Sequence, residues 1–368
     1  MIILIKKKNV IRIFVLSIVL IFLSLILLNY DEVIHVVSLD DDVQSTVDEI
    51  FDIRNKALLK GDVDSLKYLY DREKKYGIWA YEHEMKKLKY IKIWSDKQNI
   101  SFSDIDSDVV IRNITKRKSG YRINFLASTE YKYFYINEKD TENMFRIGTY
   151  HSIDLEKQED KWVITREWYT DPFADSLNLN DIKAEKIKEY IVNHKSRDLS
   201  NINNRRKKAL EYIDKYCGAA SDEEYGYKYN KKYKDYNPLG GDCANFASQM
   251  LYEGGGFKKN YTWKYDGGGS KAWVNAHGFK SYMIYSGRAS VVASGSYEKV
   301  YKAAYKLLPG DFVAYGKNGK VTHISVVSGA DSKGYTLVNS HNTDRYRVPW
   351  DLGWSNKGIK FWLVHVHY

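Results

Sequence analysis

The sequence predicts an α+β protein of two layered parts, and three observations carry that prediction. Apolar residues recur at helical spacing through residues 43–98, the period then changes to two over four successive runs, and a second set of strands follows a short cysteine-bearing helix. In the first part Val43, Val47, Ile50, Phe51, Ala57 and Leu58 form one helical face, closed by Gly61-Asp62. Helical spacing continues from Val63 to Gln98 around Leu66, Leu69, Met85, Leu88 and Ile91. Val109–Thr115, Tyr121–Tyr135, Phe145–Gln158 and Lys161–Tyr169 then read as strands of an antiparallel meander wrapped on those helices, with polar turns such as Arg117–Gly120 and Glu159-Asp160 between them. Asp171-Pro172 to Asn180 has turn chemistry and reads as a linker. Ile182–Lys195 and Arg205–Tyr216 read as helices, the second opening the last part of the chain.

The amino terminus carries a topological signal. Val10–Leu28 is apolar apart from Arg12, Ser17 and Ser24, it follows Lys6-Lys7-Lys8, and no acid precedes Asp31. This pattern predicts an uncleaved signal anchor over residues 1–30, with the rest of the chain outside the membrane; a cleaved signal peptide is the other option. The expected organisation is therefore anchor (1–30), accessory α+β part (31–170), linker and helix (171–200) and carboxy-terminal part (201–368).

Chemistry concentrates in that last part. Gly240-Gly241-Asp242-Cys243 leads into Phe246, Ala247, Met250 and Leu251, one apolar helix face that ends at Gly254–Gly256. Cys243 then lies in a first helical turn, where unpaired N–H groups and the macrodipole favour a thiolate. A base is available at His323, at the start of the strand-like run Lys320–Val327, and polar orienters at Asn339 and His341, two apart and so on one strand face. Together these are the parts of a Cys-His-X triad, with Asn339 and His341 open as the third member.

The Gly240–Gln249 run, Trp263, Ser270–Trp273, Pro309-Gly310-Asp311, Thr322-His323 and Ser340–Asp344 resemble, in that order, the bacterial putative amidase domain of the papain-like superfamily that also holds the NlpC/P60 cell-wall peptidases. The resemblance covers about residues 202–368; Ala244 stands where that family has Thr. It implies a papain-like fold, Cys243 as nucleophile, His323 as base, His341 as third member, and acyl transfer from an amide to water. The backbone N–H of Cys243 and the side chain of Asn237 are the expected oxyanion donors, the latter from the position such donors hold in papain-like enzymes. The implied substrate is a peptide or amide of the cell envelope. The accessory part resembles NTF2-like or cystatin-like cones in outline only.

Other readings are weaker. Cys217 reads as a small buried hydrophobe, and a Cys217–Cys243 disulfide would cap the nucleophile. His323, His341, Asp344 and Cys243 lack the ligand spacing of a zinc site, so no metal or cofactor is expected. Asp266–Ser270 lacks the lysine of a phosphate loop. His83 and His151 are isolated, His277, His365 and His367 read as structural or surface residues, and Asp311 as an Asx turn. The net charge is +10, of which Lys6, Lys7, Lys8 and Arg12 supply four. The remaining basic residues are dispersed, which suits an anionic polymer carrying the substrate and disfavours nucleic acid as a partner.

Overall fold

A computed structural model describes residues 43–159, 161–173, 185–354 and 358–368. The described chain divides between Ile50 and Phe51, and the packing below is that of the unit Phe51–Tyr368. Residues 43–60 are helical (α1), followed by a 3₁₀ turn at Ser65–Tyr68 and by α2, Lys75–Gln98. α2 ends as Asn99 adopts the left-handed conformation (φ 63°), which lets the chain reverse directly into a strand. Four antiparallel strands follow: β1 (Ile100–Arg117), β2 (Gly120–Tyr135), β3 (Glu138–Gln158) and β4 (Lys161–Tyr169). β1 starts nine residues before the expected Val109 because its polar first half is an exposed edge that pairs with Ser128–Tyr135 of β2. An edge strand buries little, so the apolar alternation that marks a strand in sequence is missing there.

The expected linker lies mostly outside the described residues; after it come α3 (Glu185–Val192), α4 (Asn204–Lys215), α5 (Cys243–Gln249), α6 (Lys271–Val274), α7 (Ala276–Tyr285) and α8 (Tyr297–Ala304). Interleaved with and after them are β5 (Ala289–Gly295), β6 (Phe312–Lys317), β7 (Lys320–Ala330), β8 (Thr336–Ser340), β9 (Asp344–Pro349) and β10 (Lys360–Val366). All ten strands belong to one antiparallel sheet, in the order β1-β2-β3-β9-β8-β7-β6-β10-β5, with β4 also on β3. The two parts of the chain are thus stitched together where Arg146, Ile147 and Gly148 of β3 pair with Tyr346, Arg345 and Asp344 of β9. Gly148 is required at this seam, since a Cβ would lie 2.4 Å from the carbonyl carbon of Ala219.

The sheet is covered on both faces in its carboxy-terminal half, which is why β6 and β8 are buried along nearly their whole length. On one face Val313, Tyr315, Val338 and Trp350 pack with Tyr131, Tyr133 and Phe145 of the first part. On the other Phe312, Ala314, Ile324 and Val326 pack under α4, α5 and α7. Each such apolar side chain contributes about 1.5–3 kcal/mol when withdrawn from water. Among the described residues no helix is long and apolar enough to cross a membrane. This corrects the expected single-pass anchor; the apolar Val10–Leu28 segment on which it rested lies outside the described residues.

Candidate functional site

The site is built from the loop that enters α5. Gly240 and Gly241 have φ of 107° and 135°, and a Cβ on Gly241 would lie 2.1 Å from the Asn342 amide nitrogen. Glycine there lets the β8–β9 turn close over the helix start. Asn342 uses that space: its Oδ1 accepts from the backbone N–H of Asp242, in a short bond, and from that of Cys243 at 3.1 Å. It thereby caps the first amides of α5 in place of an ordinary N-cap side chain.

The polar residues of the cysteine run are all spent on holding α5. Asn245 gives its amide to Asp242 (2.8 Å) and the Lys234 carbonyl and accepts from the Trp273 indole at 2.9 Å. Ser248 accepts from the Trp263 indole and donates to the Trp273 carbonyl. Gln249 accepts from the Tyr212 hydroxyl. Trp263 and Trp273 are fully buried, so their N–H groups need these partners.

Cys243 lies at the first position of α5, as expected, but the residue is only 5% exposed. Burial pushes the thiol up to about 12, against the hydrogen bond from the backbone N–H of Ile324 and those of the helix start. The expected lowering by the helix terminus is therefore overturned by desolvation. Cys243 and Ile324 belong to one core cluster under α5, and Ile324 follows His323 on β7. The His323 ring itself turns to the Tyr315 face of the sheet, where it lies 5.6 Å from Tyr315 and stacks on Trp354 at 5.0 Å. Its Nε2 is buried and has no partner, and no hydrogen bond joins it to the thiol. Burial, with the charge of Arg345, takes its pKa down to about 3, so imidazole and thiol are both neutral at rest.

His341 does not reach His323. Its Nδ1 bonds Asp242 Oδ2 at 2.6 Å and its Nε2 the Tyr216 carbonyl at 2.7 Å, with the ring stacked on Phe246 at 4.0 Å and against Tyr229 at 4.1 Å. Burial disfavours its charge, but the bond to Asp242 and the charges of Asp242 and Asp344 raise its pKa overall. With two acceptors on its two nitrogens, the ring is a buried imidazolium paired with Asp242. Asn339 also points away: its amide donates to the Ile213 carbonyl and Asp214, and its oxygen accepts from the Arg347 N–H. Asn237 donates to the Tyr229 hydroxyl at 3.0 Å. The Cys243 N–H, the other expected oxyanion donor, is held by Asn342.

Sequence reasoning missed three residues of this assembly. Asp242 was read only as a lead to the cysteine, yet it is 1% exposed and ties His341, Asn245 and the Tyr236 N–H together. Its direct adjacency to the cysteine was the available signal. Asn342 carries the signal of Asx residues that adopt left-handed turns (φ 64°). Asp344 accepts from the Ala219 N–H and the Tyr229 and Tyr150 hydroxyls, linking the site to β3; burial raises it to about 6 in spite of the nearby His341 charge and these bonds. No sequence signal pairs it with those tyrosines. Asp311, read as an Asx turn, accepts from the Leu308 N–H but also pairs with Arg206 of α4 at 2.9 Å.

Cys217 and Cys243 are both free and buried, without the disulfide. Among the described residues no cluster of three or more His, Cys, Asp or Glu side chains is disposed to hold a metal ion.

Residues 203–364 match the family described as "Putative amidase domain". The chain is 33% identical over 166 residues to the uncharacterized protein YjcM of Bacillus subtilis (strain 168), a stretch of 41% of this chain and 36% of the length of that relative. Among solved structures, the intermembrane space region of the chloroplast protein ARC6 aligns over 34% of this chain and 94% of its own, at 8% identity and a TM-score of 0.24. The family match coincides with α4 to β10, the part that holds Cys243 and His323.

Proposed function

We propose that residues 203–364 form a cysteine-dependent amide hydrolase on a papain-like shell. The observation that carries the reading is the thiol of Cys243 at the start of α5, in one core cluster with Ile324, the residue that follows His323 on β7. Within the family match, the candidate nucleophile and the candidate base thus flank the start of β7, one on each face.

In the proposed reaction the imidazole of His323 takes the thiol proton as the sulfur bonds to the amide carbonyl carbon. His323 leaves β7 on the face opposite α5, so the start of this strand must turn over in the reacting state to bring an imidazole nitrogen to the sulfur. The substrate oxygen takes the place now held by Asn342 Oδ1 against the Cys243 N–H, a position already complementary to a carbonyl oxygen. Collapse of the tetrahedral species breaks the C–N bond, and the imidazolium gives its proton to the leaving amine. Water then attacks the thioester, its proton passing to His323, and the acid and the free thiol are released. His341 and Asp242 act as a fixed pair behind the helix rather than as members of a relay. The substrate class is a peptide or carboxamide, and peptides borne on an anionic envelope polymer suit the basic chain best.

A non-catalytic module on the same shell is the competing reading, favoured by the buried, neutral thiol. Digestion of peptidoglycan and of a peptide-amide library by the full chain separates the two, with products read by mass spectrometry. Hydrolysis is expected for the wild type and a loss of at least about a hundredfold for Cys243→Ala and His323→Ala, with circular dichroism checking that both variants are folded. Equal turnover by a folded Cys243→Ala variant refutes the cysteine chemistry, and no turnover of any substrate by the wild type favours the binding module.

A further inference from the structure

Away from this site, the first part of the unit forms a half-open cavity of about 720 Å³ between α1, α2 and the start of β1. That size falls within the range of small-molecule sites. Leu58, Leu59, Met85, Leu88, Ile91 and Phe102 line it, and the partly exposed Val63 and Ile136 continue the apolar surface at its rim. Lys60, Lys86, Lys89 and Lys92 also line it, against one acid, Asp96. Among the described residues none of these four lysines has an acidic partner. Neighbouring lysines do: Lys56 pairs with Asp52, Lys67 with Asp64, Lys74 with Glu156 and Lys87 with Glu84. Lys92 also sits where α1 ends, its Nζ 4.0 Å from the place of a Cβ on Gly61.

An apolar cavity rimmed by uncompensated cations is complementary to a molecule with one hydrocarbon chain and an anionic head. We propose that this cavity binds such an amphiphile, a carboxylate or phosphate ester, with the chain against α1, α2 and β1 and the head among the four lysines. The reading is independent of the amidase chemistry. An acidic peptide fits less well, because the lining offers an apolar floor larger than its polar rim.

The test uses the full chain and three twelve-carbon probes, dodecanoate, dodecyl phosphate and dodecanol, by isothermal titration below their micellar concentrations. Saturable binding of one or both anions is expected, with dodecanol and the Lys89→Glu/Lys92→Glu variant each weaker by about tenfold, the scale of one or two exposed ionic contacts. Leu59→Trp, which fills the cavity, is expected to abolish binding without moving the melting temperature. Tighter binding of the phosphate or of the carboxylate assigns the head group, and either supports the site. Absence of saturable binding, equal affinity for dodecanol, undiminished binding by Leu59→Trp, or displacement of the probe by polyglutamate at equal charge overturns it.

Discussion

At Cys243 two effects oppose each other, the helix start and the Ile324 N–H favouring the thiolate and burial favouring the thiol, and burial wins, leaving the group near 12. Because the thiolate fraction below the pKa grows tenfold per pH unit, alkylation of Cys243 by iodoacetamide in the folded protein is expected to climb steadily between about pH 8 and 11 without a plateau. Peptide mapping against time measures it; a plateau below about pH 8 contradicts the buried resting state. The identities of the nucleophile and base candidates were legible in the sequence, because a glycine pair before a helical cysteine and a histidine opening a strand are local patterns. The protonation states were not. They depend on Ile324, Arg345 and Trp354, which reach the site through the sheet and leave no mark at Cys243 or His323 in sequence.

At the scale of elements, α5 is positioned by its neighbours more than by its own seven residues. Asn342 caps it, Asp242 fastens its start to His341, and Trp263 and Trp273 bind its polar side. Gly241→Ala forces a Cβ onto the Asn342 amide at φ 135° and is expected to cost about 1–3 kcal/mol. Asp242→Ala strands the His341 charge in the core and is expected to cost about 3–5 kcal/mol. Urea denaturation followed by tryptophan fluorescence measures both, and wild-type midpoints in either variant contradict the scheme. Periodicity made α5 and most strands legible; it missed residues 100–108 of β1, whose exposed polar side chains carry no alternation. It also placed His341 and Asn339 on one strand face without revealing that both turn toward partners on other elements, Asp242, Tyr216 and Asp214.

At the scale of the molecule, the two parts expected from the sequence share one sheet and one apolar layer, in which Tyr131, Tyr133 and Phe145 meet Val313, Tyr315 and Trp350. Tyr133 and Tyr135 of β2 further donate to the buried Asp331 at 3.1 and 2.7 Å. Cooperative loss of both parts is therefore expected, with circular dichroism and fluorescence transitions coinciding in urea. Two separated transitions contradict the shared core. The β3–β9 pairing was not legible, since register between distant strands is set by packing around Gly148, Ala219 and Asp344 that no local pattern records. The proposed hydrolase activity rests on covalent chemistry at one sulfur. Acid-quenched peptide mass spectrometry during turnover of p-nitrophenyl acetate is the decisive measurement: an acetyl group is expected on Cys243 and absent in Cys243→Ala, whereas turnover that leaves Cys243 unmodified, or that acylates another residue, refutes the cysteine chemistry.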